Sequence, residues 1–487
     1  MRICIVAEGC YPYTVGGVSS WINSMIRSFP EAEFVVLAVV ANRSLRGQFK
    51  YELPDNVSEV YEAYLEDVAW EKGSGHRGSR LPKDQFEAIR SLVLNEECDW
   101  DTIFEMFQHR ALSVDALLMG EDFLRITSEL YDRRYPEIVF SDFLWTMRSI
   151  YLPLFLVLRT NVPKADIYHC VATGYAGVLG CLAKHLYDCR LLVSEHGIYT
   201  REREEEIIKA TWVQNVYKRI WIEQFYRMSQ VTYDRADIVT SLFEQARELQ
   251  VELGAPREKL RVTPNGINEA RLSSLPGKTE ADEGFVNVGA VVRVTAIKDI
   301  KTMIQAFAQA KSRVPSLRLW IMGPTEEEPE YARECFDLVE MLELEDVVFT
   351  GRIDIHDYLG RMDFMLLTSI SEGQPLTILE GYAASKPVVA TDVGNCRGLI
   401  YGEGDDFGDA GILCHIMNVE ELSHAMIVLA RDPARVSRMG EAGYKRVLSK
   451  YTARQMHETY EAIYRELAAK AGLAWPEEGA PAKEEAR

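Results

Sequence analysis

Two glutamates eight residues apart, Glu372 and Glu380, bracket the stretch Ser371-Glu372-Gly373-Gln374-Pro375-Leu376-Thr377-Ile378-Leu379-Glu380-Gly381. Carboxylates accept hydrogen bonds from hydroxyls, and the free N–H groups and positive dipole end of a helix starting near Leu376 attract a phosphate. Glu380 lies four residues beyond Leu376, on the same face of that helix and about 6 Å along its axis at 1.5 Å per residue. A ligand with sugar, phosphate and sugar in series fits this order. The competing reading is a surface loop with a helix-start glutamate and a solvated glutamate in mid-helix.

Three further groups have types and positions suited to such a ligand. Arg293 and Lys298 follow the apolar run Phe285–Val292 and precede an amphipathic pattern over Thr302–Ala310. Together they offer a guanidinium fork and a point charge to a diphosphate. Gly16 and Gly17 end a turn-rich loop after the apolar run Ile3–Ala7, just ahead of the helical stripe Trp21, Ile22, Met25, Ile26 and Phe29, which Ser19 or Ser20 could cap. His196 stands at the carboxyl end of the run Arg190–Glu195, whereas His169 and His185 read as structural.

The elements that must position these groups alternate between strand and helix. Phe364–Leu367 is a buried strand delivering the Glu372 loop, and an open parallel sheet binds ligands at the carboxyl ends of its strands. Strands are expected near 2–7, 167–172, 190–195, 236–241, 285–292, 317–323, 347–350 and 411–414, with helices between them. Between about 43 and 163 strand signals thin out and helical patterns such as Asp84–Leu94 dominate, which reads as a helical insertion. The segment 273–283, with Pro276-Gly277, reads as a linker, and 475–487 as a disordered tail. The expected fold class is α/β, with an amino-terminal domain over 1–268, a carboxyl-terminal domain over 284–450 and a returning helix over 451–470.

The Glu-x7-Glu segment, followed by Lys386-Pro387-Val388-Val389-Ala390-Thr391-Asp392-Val393-Gly394, resembles the donor-site signature of the retaining family 4 glycosyltransferases. The Arg-x4-Lys spacing of Arg293 and Lys298, the Gly16-Gly17 loop and Pro264-Asn265-Gly266 extend the resemblance to about 1–42 and 165–468. It implies a GT-B fold, with two Rossmann-like domains facing a cleft. It also implies that Glu372 meets the donor sugar and that Gly373, Gln374, Pro375, Leu376 and Thr377 supply amides to sugar and diphosphate. Glu380 would hold the nucleotide ribose, Arg293 and Lys298 the diphosphate, and the backbone at Arg352 and Ile353 the base. Gly16 and Gly17 would face the diphosphate and His196 the donor sugar, so His196, Glu372, Arg293 and Lys298 are the candidate catalytic residues. Two departures stand out: Thr14 occupies the place where glycogen and starch synthases carry a Lys, and the Gly before Arg293 is four residues away.

The helical insertion and the segment Glu195-His196-Gly197-Ile198-Tyr199-Thr200-Arg201-Glu202-Arg203-Glu204 narrow the resemblance to the transferases of Pel-type exopolysaccharide synthesis. The partners this implies are a UDP-sugar donor, a glycan acceptor and inner-membrane synthase proteins. The alternatives are an epimerase of the same fold acting on UDP-N-acetylglucosamine, and a sugar-nucleotide-binding scaffold without turnover.

Composition excludes other classes. A formal net charge of −20 argues against a nucleic-acid partner, since phosphate backbones require basic stripes. The nine cysteines are scattered without a C-x-x-C pair, so neither a zinc site nor a disulfide framework is expected and a reducing cytoplasm is the simplest setting. The run Ile150–Leu158 contains Pro153 and falls far short of the roughly 20 residues of a membrane span. Asp99-Trp100-Asp101 looks like a metal-binding Asp-x-Asp, but Asp99 is well placed as a cap for the helix that follows. No metal or cofactor is expected.

Overall fold

The computed structural model describes residues 1–66, 80–109, 113–272 and 274–476. The chain divides into two compact units, Met1–Val262 with Glu461–Arg487, and Thr263–Tyr460. The expected tail beyond 476 and the expected linker residue Ser273 lie outside the described residues.

The first unit is built on a seven-stranded parallel sheet: β1 (Arg2–Glu8), β2 (Glu33–Val40), β3 (Val57–Tyr64), β4 (Ile167–Cys170), β5 (Arg190–Glu195), β6 (Ile238–Ser241) and β7 (Leu260–Val262). Its order is β3-β2-β1-β4-β5-β6-β7. Ile3 to Ala7, Phe34 to Leu37 and Leu191 to Val193 are buried, as strands covered by helices on both faces must be. The order reverses direction between β1 and β4, which opens a crevice beyond their carboxyl ends.

The second unit repeats the plan with β8 (Val286–Val291), β9 (Leu317–Met322), β10 (Val347–Gly351), β11 (Phe364–Leu367), β12 (Val388–Thr391) and β13 (Gly411–Cys414), in the order β10-β9-β8-β11-β12-β13. Here the direction reverses between β8 and β11, the two strands whose following loops carry Lys298 and Glu372.

The structure corrects four expectations. Strand β3 lies inside the span assigned to the helical insertion; the helices Lys83–Leu94, Trp100–Gln108, Val114–Leu118, Glu121–Arg134 and Phe140–Leu158 come after it. It escaped notice because it is an edge strand in which Ala63 alone is fully buried, and its polar Ser58, Glu59 and Glu62 dilute the apolar signal. The first helix runs Gly17–Ser28 with Gly16 at its amino cap, so Ser19 and Ser20 lie inside it rather than capping it. The second unit begins at Thr263 rather than beyond 268. Ile267 N–H donates to Tyr451 O (2.9 Å) and Ala453 N–H to Ile267 O (2.8 Å), which ties this segment to the second unit. Trp475 does not begin the tail, because its ring stacks on Tyr464 at 5.7 Å.

Helix Ala453–Lys470 runs from the second unit into the first. Within the first unit the Tyr464 hydroxyl lies 2.7 Å from Nδ1 of buried His169 on β4, and Lys470 O accepts from Arg190 (2.8 Å). Among the described residues no helix is long and apolar enough to cross a membrane.

Candidate functional site

In the second unit the loops after β8 and β11 are stitched together. Ile370 N–H donates to Ile297 O (2.9 Å), and the Thr368 hydroxyl donates to Lys298 O (2.9 Å) and Asp299 O (3.1 Å). Asp299, with φ +48°, caps helix Ile300–Lys311, so that helix starts two residues before the expected Thr302. Lys298 Nζ is thereby set 2.5 Å from Glu372 Oε1, with the side chains only 16% and 12% exposed. The Ser369 hydroxyl donates to the same carboxylate oxygen (2.6 Å). Two groups singled out separately for diphosphate and sugar thus form one ion pair.

The loop that carries Glu372 is rigidly supported. Asn395 N–H donates to Gly373 O (2.8 Å), and a Cβ on Gly394, at φ +50°, would collide with the carbonyl oxygens of Glu372 and Gly373. Gln374 is buried; its Oε1 accepts from Asn265 N–H (2.7 Å) and its carbonyl from Asn265 Nδ2 (3.4 Å). Helix Leu376–Ala383 starts after Pro375 with no side chain capping it and no acidic residue in its first turn. The amides near Leu376 and Thr377 are therefore not taken by a cap.

Glu380 lies on this helix, and burial of its carboxyl pushes it up to about 7, with Arg271 opposing. Arg271 is itself paired with Asp354 (2.6 Å), two residues past Arg352. Arg352 is exposed and Ile353 half-buried at the end of β10. Neither Arg271 nor Asp354 was singled out from the sequence; a lone exposed Arg carries no spacing signal. Arg293 is about half exposed and pairs with Glu327, apart from the Lys298–Glu372 pair.

In the first unit Gly16 and Gly17 are exposed: among the described residues a Cβ on either would meet no atom within 4 Å. His196 follows β5 and its ring packs edge-on against Trp21 at 4.3 Å. Burial pushes it down to about 4, so it is neutral at pH 7, and its buried Nε2 has no hydrogen-bond partner among the described residues. Reasoning from sequence missed Glu8 and Glu195, which end β1 and β5. Burial raises both carboxyls. Glu8 accepts from Ala176 N–H (2.9 Å) and the Tyr199 hydroxyl (2.9 Å). Glu195 accepts from Tyr233 (2.6 Å), Gln250 (2.9 Å), Thr173 (3.2 Å) and Tyr199 N–H (3.2 Å). Their only sequence signal is a charged residue closing an apolar strand.

Asp99 caps helix Trp100–Gln108 through Thr102, as expected, and Asp101 pairs with His185 (2.8 Å) and Arg235 (2.8 Å). Among the described residues no group of three His, Cys, Asp or Glu is gathered to hold a metal ion.

Residues 1–258 match the family model described as Domain of unknown function (DUF3492), which is more than half of the chain. The chain belongs to the DUF3492 family. In this DUF3492 protein residues 283–432 match the model Glycosyl transferases group 1, so the second unit is a glycosyltransferase domain. Relatives agree. N-acetyl-alpha-D-glucosaminyl L-malate synthase of Bacillus anthracis is 27% identical over 47% of this chain and 60% of its own length. Putative glycosyltransferase EpsD of Bacillus subtilis is 28% identical over 64% of this chain and 78% of its own. The DUF3492 chain thus spans less than two thirds of the first of these relatives. Its fold is that of Anabaena HepE, solved with UDP and glucose: TM-score 0.59 at 14% identity, covering 95% of this chain and 99% of that one. The architecture is GT-B, with two parallel-sheet Rossmann-like domains.

Proposed function

We propose that this chain is a retaining, family 4 glycosyltransferase that moves a hexose or N-acetylhexosamine from a UDP-sugar to a growing exopolysaccharide. Within that family we propose a PelF-like role, at the cytoplasmic face of the inner membrane beside Pel synthase proteins. The observation that carries the reading is the Lys298–Glu372 pair at the β8/β11 reversal, next to the uncapped start of helix Leu376–Ala383. A diphosphate entering there takes over Lys298 and the amides near Leu376 and Thr377. Glu372 is then free to accept from sugar hydroxyls, while Glu380 accepts from the ribose.

Cleavage of the sugar–phosphate bond leaves a dianionic UDP. Lys298, Arg293 and the helix amides bind that charge more tightly than the ground state, which lowers the barrier. Neutral His196, whose Nε2 has no partner among the described residues, is suited to hydrogen bonding a sugar hydroxyl rather than to carrying charge. The UDP and glucose bound to HepE agree with such a donor, and the name of putative glycosyltransferase EpsD with a transferase.

The test is incubation of the purified chain with UDP-glucose, UDP-N-acetylglucosamine and UDP-N-acetylgalactosamine, with and without oligosaccharide acceptors. UDP release with a glycan product of retained anomeric configuration supports the reading. UDP-sugar consumption without a glycan product would make it an epimerase, and UDP binding without turnover a scaffold.

A further inference from the structure

The carboxyl ends of β1 and β5 and the start of the helix after β4 are laced together through two residues, Tyr199 and Glu8. Tyr199 opens helix Tyr199–Lys209 and is buried. Its hydroxyl donates to Glu8 Oε1, at the end of β1, and its backbone N–H donates to Glu195 Oε1, at the end of β5. The other oxygen of Glu8 reaches across the β1/β4 reversal to Ala176 N–H, in the first turn of helix Tyr175–Tyr187. The Tyr199 ring lies so close over Gly174 that any Cβ there would collide with it. Glu8 opens directly into the loop that ends in Gly16-Gly17, and Glu195 directly precedes His196.

We propose that Tyr199 and Glu8 are positioning residues that hold the Gly16-Gly17 loop and His196 in one fixed relation. The inference rests on the reading of those two groups as facing the donor sugar nucleotide. The chemistry of the contacts argues for position rather than bulk stability. Glu195 keeps its bonds to Tyr233, Gln250 and Thr173 without Tyr199. The phenol hydroxyl of Tyr199 contributes one thing the ring does not, a bond to a second strand end. A catalytic group displaced by about 1 Å through such a support loses on the order of a hundredfold in rate.

Tyr199→Phe removes only the hydroxyl, leaving the ring over Gly174 and the N–H on Glu195. It is expected to lower kcat at least tenfold, with donor KM within about threefold and Tm within a few degrees of the parent. In a His196→Asn background the same substitution is expected to cost less than twofold, because residues acting through one another are not additive. Glu8→Gln keeps an oxygen for the Tyr199 hydroxyl but sets an amide donor against Ala176 N–H, so it is expected to lose less activity than Glu8→Ala, which loses both contacts. Equal losses in both backgrounds, or no loss in either, would overturn the proposal. Hydrogen exchange supplies a readout independent of turnover. In Tyr199→Phe the amides of residues 9–17 and 196–198 should exchange faster together, with 286–414 unchanged. If the parent transfers no sugar from any UDP-sugar, the functional reading fails while exchange still decides the coupling. Unchanged exchange in both loops rejects it.

Discussion

Lys298 and Glu372, 74 residues apart in the chain, meet at 2.5 Å where the sheet of the second unit reverses direction. Removing one partner of a buried pair leaves an uncompensated charge, which costs about 3–5 kcal/mol when burial is complete. Glu372→Gln and Lys298→Met should therefore each lower stability by an amount approaching that range. The double variant Lys298→Met with Glu372→Gln should lose less than the sum of the singles. It should nonetheless transfer no sugar and bind UDP weakly. Urea denaturation and calorimetry with UDP decide this; additive stability losses would mean the two groups do not interact.

Arg293 allows stability and binding to be separated. Its pair with Glu327 is about half exposed on both sides, so Arg293→Ala should change stability by less than about 1 kcal/mol. Loss of a charge-assisted contact to the diphosphate should cost about 1.5–3 kcal/mol of UDP affinity. Unchanged UDP affinity would remove Arg293 from the site.

Glu380 sets a pH dependence. Its carboxyl is raised by burial from 4.5 to about 7, so the folded chain binds its proton more readily than the unfolded chain. That contribution makes the protein gain stability as pH falls from about 7 toward 4.5, by up to roughly 3 kcal/mol. Glu380→Gln should remove it and should raise Tm relative to the parent at pH 8. UDP affinity runs the other way: an ionised carboxylate accepts from both ribose hydroxyls, so binding should strengthen as pH rises through about 7. Calorimetry at pH 6 and pH 8 should show this in the parent and a flat response in Glu380→Gln.

Chelation tests the source of positive charge. On the proposed reading, Lys298, Arg293 and the start of helix Leu376–Ala383 supply what a divalent ion would otherwise bring. Transfer should survive excess EDTA, and Asp99→Asn with Asp101→Asn should leave the rate within a few-fold of the parent. Loss of activity on chelation, restored by manganese or magnesium, would contradict this.

The sequence made the local features of the site legible and hid its long-range pairings. Glu372, Glu380 and the helix start between them were readable because turn residues and helical spacing act over a few residues. Lys298 was readable as a cation after a buried strand, but its pairing with Glu372 depends on which strands are neighbours, and no local pattern encodes that. Arg271 beside Asp354, and Tyr199 on Glu8, are of the same kind, the latter 191 residues apart. Strand β3 was hidden for another reason: an exposed edge needs little apolar surface, so its residues resemble those of a loop.

The return of the chain into the first unit bears on how the protein is made. The seven strands of the first sheet precede Thr263–Tyr460 in the chain, yet Tyr464 and Lys470, which bond to His169 and Arg190, are translated only after that segment. While the ribosome is still synthesising the second unit, β4 and β5 stand without these partners. The first unit is thus completed only after the continuous segment Thr263–Tyr460 has all the residues it needs to fold.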